Sequence, residues 1–185
     1  MKYAIVFDSV TGNTEMLATK AREVLGAEDC LYFGCPDGEG AAQAAAQADL
    51  VLAGSWVDKG TCSKGMAEFM ASLGGKKVFL FGTCGFGGSQ AYFDTMLGHF
   101  AKNLPETAHL VGQFMCQGKM PAAVRKHYEL MLEQEESEMR PDIQKQFQFA
   151  FHGDRERVKA MIDNFDVALV HPTDEDLQHF AEALQ

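Results

Sequence analysis

Short apolar runs alternate along the first two thirds of the chain with longer segments in which apolar residues recur every three or four positions. The short runs predict buried parallel strands, and the longer segments predict amphipathic helices. Five strands are predicted at residues 2–7, 30–33, 50–54, 77–82 and 109–115. Four helices are predicted at residues 13–25, 40–48, 64–73 and 89–103. This alternation is typical of an α/β protein with a parallel sheet.

Five strands joined by four helical crossovers match a doubly wound sheet of strand order 2-1-3-4-5. Such a sheet binds its ligand outside the carboxyl ends of the strands, where the strand order reverses. The segments after the first, third and fourth strands are therefore expected to line a binding site.

Residues 120–185 predict helices without further strands. Pro121 suits the first turn of a helix, and Thr173, which precedes three acidic residues, suits an N-cap. Two amphipathic faces precede Thr173, and they comprise Val124, Tyr128, Met131 and Leu132, then Val158, Met161, Ile162, Phe165 and Leu169. We therefore predict an α/β domain at residues 1–119 and a helical C-terminal extension at residues 120–185.

Charge and composition narrow the classes of partner. Sixteen basic and 26 acidic residues give a net charge of −10, which opposes binding to nucleic acid and to anionic membranes. The acidity either attracts a basic protein partner or serves solubility alone. The apolar run at residues 3–7 is too short for a signal peptide or a membrane span, and five cysteines without a Cys-x-x-Cys pair indicate a reducing compartment. A cytoplasmic location is predicted.

The segment between the first strand and the first helix has the composition of a phosphate-binding loop. It contains Ser9, Thr11, Gly12, Asn13 and Thr14. The N-terminus of a helix attracts anions through its unpaired N–H groups and its dipole, and hydroxyl groups add further donors. A single capping residue would account for one hydroxyl, but not for this set.

Residues that this loop lacks narrow the choice of phosphate ligand. No Lys or Arg lies between Lys2 and Lys20, so the loop has no cation for a β- or γ-phosphate as in P-loop NTPases. No Gly-x-Gly-x-x-Gly is present, which argues against a dinucleotide. A nucleotide monophosphate fits better, and flavin mononucleotide (FMN) is the leading ligand.

The motif Ser9-x-Thr11-Gly12-Asn13-Thr14 after an N-terminal strand resembles the phosphate loop of the flavodoxin family. Flavodoxins are a standard example of the 2-1-3-4-5 order, with FMN at the switch point. The resemblance implies a flavodoxin-like fold and FMN as cofactor. It also implies that the loops after the third and fourth strands contact the flavin, through Ser55, Trp56 and Val57, and through Thr83, Cys84, Gly85, Phe86, Gly87 and Gly88.

The loop after the fourth strand departs from the family pattern. Many flavodoxins carry acidic residues and a stacking tyrosine there, whereas only Phe86 could stack between Gly82 and Ser89. Tyr92 and Asp94, a turn into the next helix, are partial substitutes. With fewer negative charges near the ring, a reduced anionic flavin is less repelled, so a very low potential is not expected. We interpret Cys84 as a packing residue, since no cation adjoins it.

The tail resembles the C-terminal segment of anaerobe-type flavodoxin-like proteins, some of which accompany bilirubin reductase and are proposed to supply it with electrons. The resemblance implies an electron carrier between redox proteins, a monomer or weak dimer with no catalytic residue of its own. Two alternatives stay open: an FMN-dependent reductase of nicotinamides or quinones, and a binding module without efficient redox turnover. The Cys-x5-Arg pattern of low-molecular-weight phosphatases, the Gly-x-Ser-x-Gly elbow and metal-ligand spacing of the histidines are absent.

Overall fold

A computed structural model describes residues 1–185 of the chain. Six strands are present, β1 (Tyr3–Phe7), β2 (Cys30–Gly34), β3 (Leu50–Asp58), β4 (Thr61–Cys62), β5 (Lys77–Cys84) and β6 (His109–Gln117). Eight α-helices are present, α1 (Asn13–Leu25), α2 (Ala41–Gln47), α3 (Lys64–Met70), α4 (Gln90–Ala101), α5 (Ala122–Glu133), α6 (Pro141–Phe151), α7 (Arg155–Ala168) and α8 (Asp174–Ala183). No helix is both long and apolar enough to cross a lipid bilayer.

The sheet has the predicted topology. Five parallel strands lie in the order β2-β1-β3-β5-β6, which is the order 2-1-3-4-5 once the short β4 is set aside. The carboxyl ends of β1, β3 and β5 therefore lie side by side at one edge. The predicted fold class, a flavodoxin-like doubly wound sheet with a helical extension, is confirmed.

Three strands continue past their predicted ends. β3 runs to Asp58 rather than to residue 54, because Val57 and Asp58 pair with the antiparallel β4. Lys59 and Gly60, both with positive φ, make the turn between them. β5 likewise includes Thr83 and Cys84, and β6 extends to Gln117. Ser55, Trp56 and Val57, predicted as a loop, thus lie on a strand.

Helices cover both faces of the sheet. The helices α2, α3 and α4 pack on one face around a core that includes Val51, Leu80 and Phe100. The helices α1 and α8 cover the other face. Phe180 of α8 is fully buried there, with its ring 5.2 to 6.1 Å from those of Phe79, Phe81 and Phe114.

The helical extension contains one helix more than predicted. The helix α6 begins with Pro141 at its first turn and buries Ile143, Phe147 and Phe151. These side chains form a separate apolar cluster with α5 and α7. The helix α8 instead belongs to the core of the sheet, with Thr173 and Asp176 forming its predicted N-cap as a capping box. The division at residue 119 stays a prediction.

Candidate cofactor site

A cavity of about 290 Å³ opens where β1, β3, β5 and β6 end. It is lined by residues from the three predicted segments, from the connection after β6, from α4 and from α5. Eight predicted site residues line it: Thr11, Asn13, Trp56, Val57, Thr83, Cys84, Gly85 and Phe86. Six others do not: Ser9, Gly12, Thr14, Ser55, Gly87 and Gly88.

The first segment turns into α1 through Gly12. Its φ of 83° lies in the left-handed region that favours glycine, and a Cβ added there would meet no atom within 4 Å. The space beside the helix N-terminus is therefore open. The Ser9 hydroxyl accepts a hydrogen bond of 3.3 Å from the backbone N–H of Glu15, which holds the loop over the first turn of α1.

Asn13 connects this loop to the chain after β6. Its Nδ2 donates to the Thr11 hydroxyl at 2.7 Å and to the Lys119 carbonyl oxygen at 2.8 Å. The close approach requires glycine at position 118, where a Cβ would lie 2.6 Å from Asn13 Nδ2. The Oδ1 atom of Asn13 is buried and has no partner within the protein.

A buried hydroxyl pair fixes α1 to the sheet. The Oγ1 atoms of Thr14 and Thr83 lie 3.0 Å apart, and both residues are almost fully buried. Thr14 thus faces β5 rather than the open space beside Gly12, while Thr83 also lines the cavity. Hydroxyl groups from the first and third predicted segments are brought together by this contact.

The second predicted segment presents an indole to the cavity. The Ser55 hydroxyl is used locally, since it donates to the Trp56 carbonyl oxygen at 2.8 Å and accepts from the Ser63 N–H at 2.9 Å. Trp56, half-buried, lines the cavity, and its Nε1 is buried without a partner. Val57 lies beside it on the cavity wall.

The third segment is held by the extension. The Gly85 carbonyl oxygen accepts hydrogen bonds from Asn164 Nδ2 of α7 at 2.8 Å and from Gln117 Nε2 at 3.2 Å. Met120 packs on Gly85, since a Cβ there would lie 2.3 Å from the Met120 Cγ. Phe86 packs against the apolar cluster of α5, α6 and α7.

The two remaining glycines of this segment are exposed, yet each lies close to a neighbouring side chain. Gly87 and Gly88 have φ of 96° and 87°. A Cβ at Gly87 would lie 2.3 Å from the Tyr92 ring, and one at Gly88 would lie 3.2 Å from Gln117 Oε1. Glycine is therefore required at position 87 by backbone and space together.

Cys84 is buried beneath the same segment. Its Sγ donates to the Phe86 carbonyl oxygen at 3.1 Å, and burial raises the pKa of the thiol to about 12. Burial also raises the pKa of Tyr92 and Tyr128, the two tyrosines of the cavity wall. All three side chains are therefore protonated near neutral pH. A protonated, buried thiol agrees with the interpretation of Cys84 as a packing residue.

Half of the cavity lining was not among the predicted site residues. It comprises Val10, Tyr92, Gly118, Lys119, Met120, Pro121, Val124 and Tyr128. Residues 118–121 follow the carboxyl end of β6, next to β5, so the strand order alone could have indicated them. Val124 and Tyr128 carry no such signal, because their spacing is that of any apolar helix face.

The cavity is suited to a ligand that has both hydrogen-bond donors and acceptors. Asn13 Oδ1 is a buried acceptor and Trp56 Nε1 a buried donor, and neither has a protein partner although both residues line the cavity. Unpaired buried polar atoms are rare in proteins and are usually satisfied by water or a ligand. The ribityl hydroxyls and ring carbonyls of a flavin mononucleotide provide both kinds of partner, so the residues fit this group.

The chain is a doubly wound α/β protein with a cavity at the carboxyl edge of its sheet, the place where proteins of this class bind nucleotides. The flavodoxin domain model matches residues 4–156. The chain therefore belongs to the flavodoxin family, and this membership confirms FMN as the predicted cofactor.

Two relatives match almost the whole chain. The flavodoxin-like domain-containing protein BilS of Clostridium symbiosum is 42% identical, and the match covers 97% of this chain and 94% of the relative. BilS of Clostridioides difficile is 26% identical, over 96% of this chain and 90% of the relative. Among solved structures, an archaeal flavodoxin is similar with a TM-score of 0.50 at 17% identity, over 91% of this chain and 99% of that chain. The similarity to the archaeal flavodoxin, at this low identity, is evidence for the fold alone.

Proposed function

We propose that the protein is an electron carrier that holds FMN in the cavity lined by Asn13, Trp56 and Gly85. The observation that supports the FMN site of this proposal is the pair of unpartnered buried atoms, Asn13 Oδ1 and Trp56 Nε1, whose residues lie on two segments that line one cavity. A flavin bound between the segments would give both atoms a partner. When bound, FMN supplies reversible uptake and release of electrons.

Each of the three segments contacts a different part of the cofactor in this proposal. The N-terminus of α1 receives the phosphate through backbone N–H groups and the hydroxyl of Thr11, which lines the cavity; Gly12, outside the lining, leaves open space beside it. The Trp56 indole offers a flat face for the ring. The Gly85 carbonyl oxygen is already occupied by two donors, so the third segment offers chiefly its N–H groups.

The chemistry of the lining supports a carrier rather than a stand-alone enzyme. The cavity wall has no Asp, Glu or His. Lys119 apart, its titratable side chains are Cys84, Tyr92 and Tyr128, whose raised pKa values keep these three from exchanging a proton readily near neutral pH. General acid–base catalysis needs a pKa near the working pH. Electron transfer through the cofactor makes no such demand.

Access to the cavity bears on the alternative, an FMN-dependent reductase of nicotinamides or quinones. That function needs an open flavin face beside the small residues Gly85, Gly87 and Gly88. Met120 packs on the first of these and the Tyr92 ring on the second. These contacts favour a redox protein, which exchanges electrons at the rim, over a small substrate that stacks on the ring.

A surface beside the cavity suits a protein partner with apolar and basic groups. Val167, Leu169 and Val170 at the end of α7 are more than half exposed. The next residue, His171, accepts a hydrogen bond at 3.0 Å from the N–H of cavity-lining Lys119. Exposed Asp174 and Glu175 follow in the first turn of α8. We propose that a redox protein docks here, and the resemblance of the tail makes a bilirubin reductase the first acceptor to test.

Two further expectations accompany the carrier proposal. All five cysteines are free thiols, in keeping with a reducing compartment, and we propose a cytoplasmic location. We also propose a monomer or a weak dimer. A small assembly suits a carrier that must meet more than one redox protein.

The purified protein tests the carrier proposal directly. Reconstituted with FMN and kept anaerobic, it should show a flavin spectrum, resist reduction by NADH or NADPH alone, and be reduced rapidly once a redox enzyme is added as donor. Rapid reduction by either nicotinamide alone would favour the reductase. A purified protein that does not bind added FMN would contradict both functions.

A further inference from the structure

We propose that the ammonium group of Lys119 stabilises the negative charge that a flavin in this cavity gains on reduction. Lys119 is the only charged residue among those that line the cavity. The protein as a whole has a net charge of −10, so a cavity with one cation and no anion is an exception to its surroundings. The inference rests on the proposed FMN function and assigns a residue to it.

The backbone at Lys119 is held from three sides. Its N–H donates to the His171 carbonyl oxygen at 3.0 Å, and its carbonyl oxygen accepts from Asn13 Nδ2 at 2.8 Å. The preceding residue, Gly118, donates its N–H to the Cys84 carbonyl oxygen at 2.9 Å. The phosphate loop, β5 and the extension therefore all fix the point from which this side chain starts.

The charge of Lys119 is not neutralised within the protein. No ion pair includes Lys119. Its side chain is exposed, so a substitution removes no buried contact. Because this ammonium is exposed and unpaired, it acts on the cavity mainly through its electric field, which water and salt weaken.

Reduction changes the charge of the flavin ring on which the field of Lys119 acts. The neutral isoalloxazine ring takes up two electrons from the reductant and one proton from the solvent, and the anionic reduced ring then carries one additional negative charge. The phosphate is the same in both states, so any contact between Lys119 and the phosphate cancels in the ratio of the two affinities. That ratio therefore isolates the effect of Lys119 on the ring.

The test compares the dissociation constants of oxidised FMN and of dithionite-reduced FMN, with the wild type beside Lys119→Gln and Lys119→Arg. We expect Lys119→Gln to weaken binding of reduced FMN about three- to tenfold more than binding of oxidised FMN, with a matching fall in the reduction potential. Lys119→Arg should keep the wild-type ratio, and added salt should narrow the difference. The control is Lys126→Gln on α5, an exposed lysine outside the cavity, which should leave the ratio unchanged.

Two results would overturn the role of Lys119 while leaving the proposed function intact. One is an equal loss of affinity for both redox states, which would mean that Lys119 contacts only the phosphate. The other is binding by Lys119→Gln that matches the wild type in both states. A wild-type protein that binds neither form of FMN would instead overturn the proposed function, and this role with it.

Discussion

Asn164 of α7 donates a hydrogen bond of 2.8 Å to the carbonyl oxygen of Gly85 across 79 positions of sequence. Its Oδ1 accepts from Gln117 Nε2 at 3.1 Å, and Gln117 also donates to Gly85. The extension is thus joined to the third segment of the site through a polar contact as well as through apolar packing. The extension thus contributes to the wall of the cavity that we propose as the cofactor site.

Removal of the Asn164 amide should loosen the third segment. Asn164→Ala should weaken FMN binding by about 1 kcal/mol, roughly fivefold, because a partly buried carbonyl loses one of its two donors. Titration with FMN measures this effect. Asp163→Ala, at an exposed position of the same helix, is the control and should bind FMN like the wild type. Equal affinities for the two variants would contradict the positioning role of Asn164.

The Thr14 and Thr83 hydroxyls should be energetically coupled. Thr14→Val or Thr83→Val alone leaves the other hydroxyl buried without its partner, at a cost of about 1–3 kcal/mol of unfolding free energy. The double substitution removes both polar groups and should cost less than the sum of the two. Urea unfolding of the three FMN-free variants gives the coupling. Additive losses would show that the two hydroxyls act independently.

Phe180 tests whether α8 belongs to the core of the sheet. Its ring is fully buried among Phe79, Phe81 and Phe114, so Phe180→Ala should lower the unfolding free energy by about 3–5 kcal/mol. Phe149 is 75% exposed on α6. Phe149→Ala should therefore change stability by less than about 0.5 kcal/mol. Similar losses in the two variants would argue against the core position of α8.

Stability should fall at alkaline pH because of Cys84. Burial raises its pKa from 9.0 to about 12 in the folded protein, so above pH 9.0 the unfolded chain binds fewer protons than the folded one. The stabilising contribution is complete below pH 9.0 and is lost as the pH rises towards 12, by about 1.4 kcal/mol per pH unit. Urea unfolding across this range measures the slope. Cys84→Ala should reduce this slope without removing it, because burial also raises the pKa of Cys62 and Cys116. An unchanged slope would contradict the assignment.

The sequence predicted the sheet well because buried parallel strands and their crossover helices have strong hydrophobic periodicities. It failed for β4, a two-residue strand that exists only because Val57 and Asp58 have a partner across a tight turn. It also missed α6, although Pro141 followed by apolar Ile143 and Phe147 is a recognisable helix start.

The site was predicted only in part, for a related reason. Motif chemistry identified Thr11, Asn13 and Trp56, which lie on segments next to one another at the edge of the sheet. Val124 and Tyr128 reach the cavity only because α5 folds back over it, a tertiary contact with no local signal. Thr14 belongs to the phosphate-loop motif and Ser55 to the second predicted segment, yet their hydroxyls form hydrogen bonds within the protein.

FMN binding beside Trp56 is tested most directly by the fluorescence of that residue, the single tryptophan of the chain. Titration of the FMN-free protein with FMN should quench the tryptophan emission and saturate at one FMN per chain, because the indole lines the cavity. Riboflavin, which lacks the phosphate, should bind more weakly. An emission that FMN leaves unchanged, with no FMN retained on gel filtration, would contradict the assignment of this cavity as the cofactor site.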